Sequence, residues 1–121
     1  MKDISLGTIE AKFADYIWEN EPIPSGELVK YGEEKFGWKK PTTYTVIRRL
    51  CAKGLFKNED TIVSSLMSKD DYIALRSKNF VGENFGGSLP AFFAAFTSKT
   101  KLSEAEIEEL RRLIDNSGES K

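Results

Sequence analysis

"GWKKPTTYTVIRRLCAKG", residues 37–54, is the stretch whose reading decides the fold. Gly37 and Gly54 bracket a run with no glycine inside it and with Pro41 near its start, where a helix loses nothing by a missing N–H. A helix is therefore expected from about Pro41 to Lys53, with Gly54 as its C-terminal cap. Advancing about 100° per residue puts Val46, Leu50, Thr43, Ile47 and Cys51 on one arc, the side suited to a core. Cys51 then reads as a small buried hydrophobe. The opposite arc gathers Pro41, Tyr44, Thr45, Arg48 and Ala52, flanked by Thr42 and Arg49. Hydroxyls and arginines with no acid among them are groups that meet phosphates and base edges. Lys39 and Lys40 stand just ahead, where free backbone N–H groups and the helix dipole already favour a phosphate.

The charge distribution supports the same reading. Formal net charge is −1, but no acid lies between Glu34 and Glu59, whereas Lys35, Lys39, Lys40, Arg48, Arg49, Lys53 and Lys57 all do. A net +7 there leaves −8 for the remainder. Binding to a polyanion follows the local field, so this asymmetry matters more than the total.

Working outward from the third helix, Leu6, Ile9, Phe13 and Ile17 recur at helical spacing until Pro22. A short extended piece around Ile23 follows, then a second helix with Ser25 as its N-cap, Leu28, Val29 and Phe36 on its apolar face, and Gly37 as its stop. After Gly54 the period changes. Phe56, the turn residues Asn58 to Asp60, and the alternation of Ile62, Ser64 and Leu66 predict a hairpin of two short strands. Helix returns at Ser68, spaced with Asp71 as a capping box, and "GENFGGSLP" breaks it. A short helix is expected from Leu89 to Thr97, and a last one opens at Ser103 with Glu106 completing a second capping box. The fold class is mainly α (α+β): three helices and a hairpin over 1–68 make an N-terminal winged helix-turn-helix with a small hairpin wing a natural assembly among the several arrangements open to a small α+β domain, and a three-helix segment follows over 69–121.

That second segment is too short to close its own core, yet it carries Phe80, Phe85, Leu89, Phe92, Phe93, Phe96 and a stripe of Ile107, Leu110, Leu113 and Ile114. These are the candidate dimerisation residues, with packing against the first domain as the alternative.

Composition excludes much else. The chain has 121 residues, one cysteine and no histidine. Zinc, haem and cysteine–histidine chemistry are thus not expected, and neither a metal site nor a cofactor is assigned. No paired carboxylates, activated nucleophile or phosphate-cradling glycine loop suggests a catalytic site. The longest apolar run, "AFFAAF", is far shorter than a membrane span, and the N-terminus lacks the apolar core of a signal peptide. A cytoplasmic location without membrane association is expected.

"SLGTIEAKFADYIWENEPIPSGELV", "GWKKPTTYTVIRRLCAKGLF" and "FGGSLPAFFAAFTSKTKLSEAEIEELRRLI" together resemble the BlaI/MecI/CopY family of bacterial repressors, the penicillinase and methicillin-resistance regulators. The resemblance implies a winged helix, a C-terminal segment that interlocks with a second subunit, and a homodimer on a palindromic promoter operator in double-stranded DNA. It implies TACA/TGTA-type half-sites read by the third helix, here Thr42, Thr43, Tyr44, Thr45 and Arg49. With Lys39, Lys40 and Arg48 from the charge argument, these are the candidate DNA-binding residues.

Four departures stand beside the matches. Pro41 replaces a serine common in the family, and Glu59 and Asp60 sit where the wing is more often basic. The Asn–Phe bond cut by a protease in the β-lactam regulators corresponds to Ala95 and Phe96, so an upstream sensor or protease is not supported. The tail "LRRLIDNSGESK" lacks the cysteine pairs of copper-responsive relatives. The alternative reading is a winged-helix protein-interaction module that has lost DNA binding.

Overall fold

The computed structural model describes residues 3–118; residues 1–2 and 119–121, the outer ends of the two expected segments, lie outside the described residues. The first helix, α1 (Thr8–Asn20), begins at Gly7, whose N–H is accepted by the Glu10 carboxylate at 3.4 Å. Phe13, Ala14 and Ile17 turn inward. Ile9, expected on the same stripe, is 46% exposed, so the stripe is covered only from the second turn onward. Glu21 follows the helix and ties it to the sheet, its two carboxylate oxygens accepting the Ser65 N–H at 2.6 Å and hydroxyl at 2.9 Å.

Strand β1 (Ile23–Pro24) leads directly into α2 (Ser25–Phe36), and α3 (Lys40–Ala52) follows after Gly37, which takes a left-handed φ of 69°. The expected N-cap, Ser25, is instead the first helical residue, and Pro24 is the cap. The cause is the sheet: Pro24 is held extended against Ile62, and the Ser25 N–H donates to the Thr61 carbonyl at 2.7 Å.

Strands β2 (Phe56–Glu59) and β3 (Ile62–Ser65) form the hairpin, and the antiparallel order is β1-β3-β2. Its turn is Asp60–Thr61, not Asn58 to Asp60, because Asn58 and Glu59 pair with Val63 and Ile62. The strand phase also differs from expectation. Val63, opposite Ile23 and Asn58, is the buried residue, whereas Ile62 and Leu66 face solvent. Three helices carrying a small antiparallel sheet in this chain order make a winged helix-turn-helix, with Phe13, Ile17, Leu28, Leu50, Phe56 and Val63 at its centre.

The chain divides into two compact units, Met1–Lys78 and Asn79–Lys121, and the boundary falls inside α4 (Lys69–Phe85). The start of α4 belongs to the first unit for a visible reason: Tyr72 is buried, its hydroxyl donating to the Ile4 carbonyl at 2.9 Å and accepting from Arg76 at 3.0 Å. Trp18 packs on Tyr72 and donates its indole N–H to the Met67 carbonyl at 2.9 Å. In the second unit, Gly86 and Gly87 take φ of 59° and 82° in the turn before α5 (Leu89–Thr97), which Ser88 caps by accepting the Ala91 N–H at 3.1 Å. The last helix, α6 (Glu104–Ser117), carries both halves of the expected Ser103–Glu106 box, each at 3.1 Å.

Two substitutions test this architecture. Thr61 and Asp60 are non-glycine residues at φ of 66° and 51°, and a β-branched side chain resists that region. Thr61→Gly should therefore raise stability by about 1 kcal/mol in urea unfolding. A Cβ on Gly32 would stand 2.5 Å from the Thr43 hydroxyl and 3.1 Å from the Trp38 ring. Gly32→Ala is thus expected to cost about 1–3 kcal/mol despite the better helix propensity of alanine.

Candidate nucleic-acid interface

α3 owes its position to the residues on its inner side. Thr43, Val46, Ile47 and Leu50 are buried, four of the five residues expected there. Cys51, the fifth, is only half-buried and borders an open groove between α3 and the wing with Tyr44, Arg48, Phe56, Lys57 and Asn58. Partial burial pushes its thiol above the ordinary cysteine value, which disfavours the thiolate.

The candidate contact residues separate into groups once their partners are seen. Lys39 is the N-cap of α3 and Lys40 its first residue; both are exposed, and neither has an acidic partner among the described residues. Lys39 offers no side-chain cap, and of the first four N–H positions of the helix those of Thr42 and Thr43 already donate to the Lys39 carbonyl at 2.9 and 3.2 Å, which leaves only positions 40 and 41. Pro41 in the first turn removes one N–H from that set. Thr42 is exposed beside them.

Thr45 and Arg48 form a connected pair on the outer face. The Thr45 hydroxyl donates to the Pro41 carbonyl at 3.0 Å and accepts from Arg48 Nη2 at 3.3 Å. Arg48 is thereby steadied on the helix surface with most of its donors still facing solvent.

Tyr44 is half-buried, and its hydroxyl lies 3.2 Å from the Ser25 Oγ, a side chain that is itself buried. That hydroxyl therefore joins α3 to the start of α2. Arg49 is exposed but pairs with Glu10 of α1 at 3.8 Å. Glu10 was missed in the sequence because the partners lie 39 positions apart and no local spacing links them.

Thr43 does not share the outer face. Its side chain is wholly buried at the close approach to Gly32, and its hydroxyl has no hydrogen-bond partner among the described residues. The helical arc already placed it inward; the buried geometry agrees with that arc and is incompatible with direct contact to a ligand outside the protein.

Two other cations of the basic segment are engaged. Lys53 donates to the Ser5 carbonyl at 2.8 Å, and Lys57 pairs with Glu59 at 3.1 Å on the wing. The surface offered to a polyanion is thus narrower than the charge count suggests: Lys39, Lys40 and Arg48, with Thr42 and Thr45 between them and Arg49 at one margin.

In the second unit, Phe80, Phe85, Phe92 and Phe96 form a chain of tilted and edge-on rings, with successive centroids 5.5–6.2 Å apart. No residue of α5 or α6 is buried. Phe85, Phe92, Ile107 and Leu110 are half-buried, while Phe80, Leu89, Phe93, Phe96, Leu113 and Ile114 are exposed. α5 and α6 border a cleft of about 330 Å³ lined by phenylalanines, leucines, Glu106 and Glu109. Among the described residues, no helix is long and apolar enough to cross a membrane, and no three metal-ligating side chains gather.

The sequence model of a family described as penicillinase repressor matches residues 6–116. The methicillin resistance regulatory protein MecI of Staphylococcus aureus strain Mu50 is 28% identical over 118 residues, covering 94% of this chain and 96% of its own. The penicillinase repressor of Bacillus licheniformis is 25% identical over 120 residues, covering 95% and 94%. Among solved structures, the Bacillus licheniformis BlaI monomeric form in complex with the blaP half-operator is 25% identical, aligning with 60% of this chain and 94% of that one at a TM-score of 0.49.

Thr43→Val should raise stability by about 1 kcal/mol, because it removes a buried hydroxyl that has no partner. A loss of similar size in urea unfolding would show that the hydroxyl is satisfied by a bound water.

Proposed function

We propose that this chain, which belongs to the penicillinase repressor family, is a sequence-specific DNA-binding repressor that acts as a homodimer on a palindromic operator with TACA/TGTA-like half-sites. The observation that carries the reading is the outer face of α3, where Lys39, Lys40 and Arg48 have no acidic partner among the described residues and Thr42 and Thr45 stand between them. The family is one of transcriptional repressors, and catalysis is not part of the reading.

In this reading α3 enters the major groove, Arg48 and Arg49 contact base edges or phosphates, and Lys39 and Lys40, with the Lys40 N–H, hold the backbone. Repression then follows from occupancy of the promoter. The homodimer is supported by the second unit, whose two last helices bury no residue and expose five large apolar side chains. A second copy would cover that surface by symmetry and place two α3 helices on two half-sites. Ala95 and Phe96 lie within α5, where helical backbone resists the extended conformation that proteases bind, so induction by cleavage there is left out of the proposal.

A second reading, a protein-interaction module without DNA binding, is favoured by the wing alone. Lys57 is neutralised by Glu59 beside Asp60, so the hairpin tip offers a duplex little attraction.

Fluorescence anisotropy of a labelled TACA/TGTA palindrome and a shuffled duplex, over a salt series, separates the readings. The repressor prefers the palindrome, and log Kobs falls with log salt by about 0.9 for each phosphate neutralised. Equal and weak binding to both duplexes would favour the interaction module. Leu113→Glu, at a site 58% exposed in the single chain, should sediment as a monomer and bind the palindrome far more weakly, since the half-sites no longer act together. A dimer of full affinity from that variant would place the interface elsewhere.

A further inference from the structure

Glu10 stands at the first turn of α1 and does two things with one carboxylate. Oε1 accepts the Gly7 N–H at 3.4 Å, and Oε2 lies 3.8 Å from Arg49 Nη1. The pair is unequal: the Glu10 side chain is 22% exposed and that of Arg49 63%. The acid is therefore held by the protein, while the arginine reaches outward from it.

Two consequences follow for a duplex approaching α3. The guanidinium is attracted from one side, at ion-pair rather than hydrogen-bond distance, so its position is biased toward the Glu10 side of α3 while its donors stay free. A carboxylate also stands within a few ångströms of wherever Arg49 would meet a phosphate. A non-specific complex depends almost wholly on phosphate charge and so bears the full repulsion. A specific complex offsets it with contacts that need the arginine oriented.

We infer that Glu10 is a specificity-determining positioning residue: through Arg49 it weakens general attachment to DNA more than it weakens attachment to the operator. The inference rests on the repressor reading and on Arg49 meeting the duplex. Asp15, which lies round the helix from Glu10, is already engaged with Lys69 at 3.0 Å.

Glu10→Gln is the informative variant, because glutamine keeps an oxygen able to accept the Gly7 N–H while losing the charge. Full-length wild type, Glu10→Gln, Arg49→Ala and the double variant are compared by anisotropy on the palindrome and on the shuffled duplex across salt. Glu10→Gln should bind the shuffled duplex about tenfold more tightly, with a salt slope steeper by about one, and the palindrome by a smaller factor, so the ratio between them falls. In the double variant, the gain should vanish and binding should match Arg49→Ala. An unchanged ratio and slope in Glu10→Gln would overturn the inference. A gain that survives the loss of Arg49 would overturn it too, since Glu10 would then act only as a general charge. If Arg49→Ala binds like wild type, the inference fails while the repressor reading stands. If wild type itself shows no salt-dependent binding to either duplex, both fail.

Discussion

Everything presented by α3 depends on how closely it lies against α2. At Gly32 and Thr43 the two helices approach so tightly that a single methyl group would meet the threonine hydroxyl at 2.5 Å. Trp38 closes over the same glycine, and Phe13 of α1 packs on Trp38 with ring centroids 5.3 Å apart. Three helices are thus indexed to one another through one missing side chain. Since the inner residues of a helix fix the direction of its outer ones, this contact sets the rotation of α3 and the line along which Thr45 and Arg48 project. The unpartnered hydroxyl of Thr43 is a cost carried at that same point.

Much of this was legible from the chain. The arc of α3 was readable because a helix of 13 residues has only one way to bury Val46, Ile47 and Leu50 together, and Thr43 follows from them. The Ser103–Glu106 box and the glycine turn at 86–87 were readable because their partners lie within a few residues. What escaped were features decided at long range. Ser25 looks like a cap until β1 is pulled into the sheet by β3, and the phase of Ile62, Ser64 and Leu66 is overruled by the pairing of Val63 with Ile23. A two-residue turn at Asp60–Thr61 carries no glycine to advertise it.

The candidate site shows the same division. Residue types on the outer arc could be read from the chain, but their partners were invisible. Tyr44 spends its hydroxyl on Ser25, Lys53 on a backbone carbonyl, and Arg49 stands beside an acid from the first helix. A helical wheel reports direction, whereas availability depends on what the other elements bring to the same place. The resemblance to a repressor family named Thr43 among the reading residues; burial removes it from the surface while leaving it at the contact that aims the rest.

A chain of net charge −1 can still engage a polyanion because its charges are sorted by distance. At physiological ionic strength the Debye length is about 8 Å, so the field of acids on remote elements is largely screened at the basic face of α3. Cations in contact with phosphates are not. Lys39, Lys40 and Arg48 therefore weigh more than the total suggests, and the N-terminus of α3 adds its own partial positive charge beside the two lysines. By the same rule, the acids that matter are those inside that radius. Glu10, 3.8 Å from Arg49, is one such acid at the margin of the basic face, while Glu59 on the wing is taken up by Lys57 at 3.1 Å.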